Sequence, residues 1–130
     1  MRGHESWMLI AQEDLASAKL LCSASFTTTL FHIQQSAEKA LKSYLIAKRG
    51  LFIKKHDLEF LVDACMVVNK DFEELRLIAT VLSPYEVVGR YPDVSFIKPS
   101  QDKMYELIDQ ARYLISRVQD YLENKGRNAD

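Results

Sequence analysis

Three histidines, a group of lysines and one arginine-bearing loop are the residues of this 130-residue chain whose types and spacing could do chemistry. Arg90-Tyr91-Pro92-Asp93 is the densest cluster. Pro92 restricts Tyr91 to extended backbone, and the planar fork of Arg90 suits a phosphate. The plain alternative is an ion pair from Arg90 to Asp93 or to a helix, tying the loop down. His56 is followed at once by Asp57. An imidazole there could serve as acid or base; the plainer role is packing at a helix start and bonding backbone. His32, Gln35, Lys39 and Lys42 follow one another at three- and four-residue steps, so on a helix they share one face. That face suits an anionic ligand or a partner helix, or simply a hydrogen-bonded helix contact. As metal ligands His32 and Gln35 are poor, because no acidic residue or second histidine completes a set.

Charge is unevenly placed. From Ala37 to His56 there are six bases (Lys39, Lys42, Lys48, Arg49, Lys54, Lys55) and one acid, Glu38. From Asp57 to Glu74 there are six acids and one base, Lys70. A basic pole of this kind reads as an anion site for phosphate or RNA. The alternative is dipole compensation, with bases ending one helix and acids opening the next two.

Several kinds of chemistry are excluded. Seventeen bases against eighteen acids is not the balance of a general nucleic-acid coat. Four isolated glycines cannot build a phosphate-cradling loop. Cys22 and Cys65 are far apart, which rules out a disulfide framework and the usual zinc spacings. No strained serine elbow and no paired carboxylates appear. Nothing calls for a metal or a cofactor. No signal peptide or membrane-length apolar run is seen, so the expected location is the cytoplasm. Whether the chain is an enzyme stays open, with the balance toward a binding module.

The elements that must position these residues read as all-α, an up-and-down bundle of about five helices in a single domain over 1–130. Its core covers about 6–123, and the tail 124–130 frays. A first helix from Ser6, as N-cap, to Cys22 carries Trp7, Ile10, Ala11, Leu15 and Ala18 at helical spacing. A long second helix runs from about Thr27 to Arg49, with Gly50 placed for a left-handed cap. A short third helix starts near Asp57. Asp71-Phe72-Glu73-Glu74 has capping-box spacing and opens a fourth, which Pro84 ends. Ser100 caps a fifth, to about Asn124. Before it lies a long crossover loop, Ser83 to Pro99, holding all three prolines. Loops of this length are often functional; the alternative is a strap packing Tyr85, Val88 and Tyr91 on the core.

Taken in order, these pieces resemble the HEPN domain family from about Ser6 to Glu123. The carriers are Trp7 with Asp14-Leu15, the string from Phe31 to Leu45 with its Gln34-Gln35-Ser36-Ala37-Glu38-Lys39-Ala40 centre, His56-Asp57-Leu58 with Leu61, and Arg90-Tyr91-Pro92-Asp93. The resemblance implies a five-helix bundle that usually forms a homodimer and binds nucleotides or RNA. It also implies a small nucleotidyltransferase as partner, often in a toxin–antitoxin pair. This chain would be the partner and not the transferase, whose Gly-Ser and paired aspartates are missing. Some members are metal-independent ribonucleases with an Arg followed four to six residues later by a His near the start of a late helix. Here no histidine follows His56, and the Arg49/His56 pair, though six residues separate them, spans a connector. The expected ligand contacts are therefore Arg90, Tyr91, Asp93, Lys39, Lys42 and His56, with Tyr91 or Tyr85 to stack on a base. His56 and Arg49 would be catalytic only in the ribonuclease alternative. A structural dimerisation module is the third reading.

Overall fold

A computed structural model describes residues 3–86 and 98–124. Those residues form five α-helices and two 3-10 segments, with no strand among them. The helices are α1 (Gly3–Leu21), α2 (Phe26–Arg49), α3 (Leu58–Met66), α4 (Arg76–Leu82) and α5 (Gln101–Leu122). The 3-10 segments, Lys70–Leu75 and Ser83–Glu86, flank α4.

The apolar spacing explains the packing. On α1, Met8, Ala11, Leu15 and Ala18 are buried at three- and four-residue steps. On α5, Met104, Leu107, Ile108, Ala111, Leu114, Ile115 and Val118 do the same. Between them runs α2, buried almost all round through its middle, from Thr29 to Leu45. Buried residues of all five helices join in one cluster. Its aromatic seam is Tyr44–Phe72–Tyr121, with ring centroids 4.5 and 4.7 Å apart, joining α2, the first 3-10 segment and α5.

Local signals decide where the helices stop. Gly50 takes φ 64°, and its N–H reaches Ile46 O at 3.0 Å while Leu51 N reaches Leu45 O, closing the end of α2. Asp57 caps α3 by accepting from the Glu59 and Phe60 amides, and Ser100 caps α5 by accepting from Lys103 N.

Two expected caps are corrected. Ser6 lies within α1, which already begins at Gly3. Asp71 opens no capping box: Asn69 accepts from Asp71 N instead, and Lys70–Leu75 is a 3-10 segment. Its two buried residues, Phe72 and Leu75, stand three apart, the spacing that a three-residue turn brings to one side. The fourth α-helix is therefore only the seven residues Arg76–Leu82. Of the expected strap, Tyr85 packs against the core, while Val88 and Tyr91 lie outside the described residues. The expected frayed tail also lies outside them beyond Asn124.

Candidate functional site

One face of α2, the N-terminal part of α1 and the connector 51–57 enclose a groove of about 440 Å³. From α2 come Gln35, Glu38, Lys39 and Lys42, at i, i+3, i+4 and i+7. Trp7 comes from α1. The connector contributes every second residue, Phe52, Lys54 and His56. The residues between them point elsewhere: Ile53 packs on the core, and the Lys55 ammonium lies 4.9 Å from the centre of the Phe60 ring.

Glu38 is the hub. Its side chain is only 2% exposed. One carboxylate oxygen accepts from the amides of Gln34 and Gln35, both at 3.3 Å. The other accepts from Lys42 Nζ and His56 Nδ1, both at 2.9 Å. Four donors match the four acceptor positions of a carboxylate. Burial alone would push this carboxyl up; the hydrogen bonds from His56 and Lys42 and the Lys42 ammonium charge outweigh it and hold it below the usual carboxylate range. Gln34 also donates to the His56 carbonyl at 3.2 Å, so α2 grips His56 by both backbone and ring.

The cations sit over aromatic faces. Lys42 Nζ lies 5.9 Å from the Trp7 ring centre and 5.5 Å from that of Phe52, although its side chain is 4% exposed. Lys39 Nζ is 6.0 Å from Trp7 and bonds Gln35 Oε1 at 3.0 Å. Asp14 of α1 stands 3.8 Å from Lys39 and accepts from His32 Nδ1 at 3.0 Å. Trp7 and Phe52 meet at 5.2 Å between ring centres. Lys54 is exposed and makes no ion pair with another described residue. The groove thus sets three ammonium groups against one carboxylate, beside two aromatic rings.

Of the expected site residues, Lys39, Lys42 and His56 are brought together here. Arg49 is exposed at the end of α2 and is not among the lining residues. Arg90, Tyr91 and Asp93 lie outside the described residues. His32 shares the α2 face and does gain an acidic neighbour, Asp14, which spacing within α2 could not reveal. No group of three or more metal-ligating side chains occurs among the described residues. Tyr85, offered for stacking, is packed on the core; the rings at the groove are Trp7 and Phe52. Sequence reading passed over Glu38, Phe52 and Lys54 as contacts. The available signal was Glu38's solitude among six bases, four residues before Lys42.

The helical architecture and this α2 face define the class. A family model for the HEPN domain matches residues 4–121, and the chain belongs to the HEPN domain family. Among solved structures it is similar to TT1696 from Thermus thermophilus, at 27% identity and TM-score 0.78, over 96% of this chain and 99% of that one. It is also similar to ST0689, an archaeal HEPN homologue, at 26% identity and TM-score 0.72, over 94% and 99% of the two chains. No curated protein matches it. No helix among the described residues is long and apolar enough to cross a membrane.

Proposed function

We propose that this chain is a HEPN module that binds the phosphate of a nucleotide or RNA in the Trp7–His56 groove and acts as the homodimeric partner of a small nucleotidyltransferase. The observation that carries the binding reading is the meeting, in one groove, of aromatic surface with three ammonium groups, one of them, Lys42, held by a buried carboxylate. A base stacks on Phe52 or Trp7, and the phosphate meets Lys54 and Lys39. Arg90, Tyr91 and Asp93 are further contacts on this reading. The nucleotidyltransferase partnership, in a toxin–antitoxin-like pair, rests on the family alone.

Thermal unfolding with nucleoside mono- and triphosphates, against sulfate at matched ionic strength, tests the reading. Ligand at a hundredfold excess over its Kd stabilises by about 2.7 kcal/mol, which moves the midpoint by several degrees. The expected result is a shift with a nucleotide and none with sulfate, lost in Lys54→Glu and reduced in Arg90→Ala. No shift with any nucleotide overturns nucleotide binding, and RNA is then assayed for binding and cleavage. Sedimentation that finds only 15.0 kDa species overturns the homodimer.

A further inference from the structure

The polar groups of the groove are not equivalent in what they offer a ligand. Lys39, Lys42 and Lys54 are donors only. Glu38 already accepts four hydrogen bonds and has no position left. Gln35 spends its amide nitrogen on Gln34 and Glu38, and its oxygen, which accepts from Lys39, belongs to a side chain only 6% exposed. His56 differs. Its Nδ1–H is given to Glu38 at 2.9 Å, and its carbonyl to Gln34. A carboxylate at Nδ1 keeps the proton on that nitrogen and leaves a lone pair on Nε2 of the neutral ring. The side chain is 46% exposed while Glu38 is buried, His56 lines the groove, and its Nε2 bonds no described residue. The groove therefore presents several donors for an anion and, on His56, an exposed side chain with an acceptor nitrogen that bonds no described residue.

We propose that His56, through Nε2, accepts a hydrogen bond from a ribose hydroxyl of the bound nucleotide, and that Glu38 is the positioning residue that makes it an acceptor. The inference rests on the nucleotide-binding reading above and deepens it to a preference for ribonucleotides over their deoxy forms. In a nucleotide the sugar joins base to phosphate. With the base on Trp7 or Phe52 and the phosphate on the lysines, the sugar lies between them, and its hydroxyls are the donors next to the anion. A site built around a hydrogen bond to a hydroxyl rejects the analogue that lacks it, because its own polar group is left unpaired. The 2′-hydroxyl is also the feature by which proteins tell RNA from DNA.

The experiment measures Kd by calorimetry on the full chain. The probes are the four common ribonucleoside triphosphates and their 2′-deoxy and 3′-deoxy counterparts. The wild type is expected to bind one deoxy form at least about tenfold more weakly than the ribonucleotide. His56→Asn places an amide nitrogen near the position of Nδ1, retains the bond to Glu38 and puts nothing at Nε2. It is expected to bind ribo and deoxy forms alike. His56→Gln, whose amide reaches the Nε2 position, is expected to keep part of the preference. Glu38→Gln is expected to lose most of it with Lys54 still contributing affinity; should that variant not fold, His56→Asn decides alone, since its side chain is half exposed.

Equal ribo and deoxy affinities in the wild type overturn the inference and leave nucleotide binding standing. An undiminished preference in His56→Asn overturns it as well. No binding of any triphosphate to the wild type overturns both.

Discussion

Glu38 and Glu74 do opposite things with the same functional group. Glu74 lies in the 3-10 segment before α4, and its donors come from α5. Tyr113 donates to one oxygen at 2.8 Å. Arg117 Nε donates to the other at 3.0 Å, where Tyr121 donates as well. Tyr113, Arg117 and Tyr121 are four residues apart, one row on one helix face. Arg117 also holds Asp120 at 2.9 Å, so its guanidinium is spent within the network. Burial pushes Glu74 up, but Tyr121, Tyr113 and Arg117 bring it below the ordinary carboxylate value. This network ties two elements together. The outer oxygen of Glu38 instead draws one donor from its own helix and one from an irregular connector, and both donors line a groove. A largely buried carboxylate is no sign of a site by itself; what its partners still have to offer is.

The largest way to break the comparison is to remove each carboxylate in turn. Glu38→Ala leaves the Lys42 ammonium buried without a counter-charge, and about 3–5 kcal/mol of stability is expected to go in denaturant unfolding. Glu74→Ala leaves Arg117 with Asp120, so a smaller loss of about 1–3 kcal/mol is expected, with the nucleotide response intact. Equal losses from both variants would remove the distinction drawn between the two regions.

Acid acts on both glutamates together. Each is held below its ordinary value in the folded chain. Their stabilising contribution is therefore full above the unfolded carboxylate value, about pH 4.3, and is lost as pH falls through the lower folded values. An acid titration followed by circular dichroism should show that loss below about pH 4. In Glu38→Gln its steepness should fall by the share of one carboxylate.

Gly50→Ala sharpens the comparison at lower cost. No heavy atom lies within 4 Å of the added methyl, so only the left-handed backbone matters. About 1 kcal/mol of stability is expected to be lost in thermal unfolding. Lys54→Glu is the mildest, within about 0.5 kcal/mol of wild type because the residue is exposed. Yet it is expected to abolish the nucleotide shift, which separates binding from folding most cleanly.

Much of the fold was legible because its signals are local. Apolar periodicity marked the helices, Gly50 ends α2 because it lacks a Cβ, and the side chains of Asp57 and Ser100 begin α3 and α5. Ser6 and Asp71 misled because a cap is a backbone conformation as well as a residue type, and suitable types also occur inside helices. The site was half legible for the same reason. Lys39 and Lys42 share a face by arithmetic, and His56 stood out by type. Trp7 read simply as part of the apolar stripe of α1, although it forms a wall of the groove. Phe52 and Lys54 sit in a connector with no periodicity of its own to read. That Glu38 joins His56 to Lys42 depends on how the connector folds back over α2, which is a tertiary fact.

The connector between Gly50 and Asp57 works as a reading frame. Its ends are fastened by two helix caps, and between them odd and even positions face different ways. Because both ends are held, inserting or deleting one residue there would leave Phe52 set from Gly50 and His56 set from Asp57 and would break the alternation between them. Point substitutions in this stretch change one wall residue at a time, whereas a change of length breaks the alternation itself. Among relatives of this chain, the spacing from the helix-ending glycine to the histidine is therefore the quantity to compare before any single residue within it.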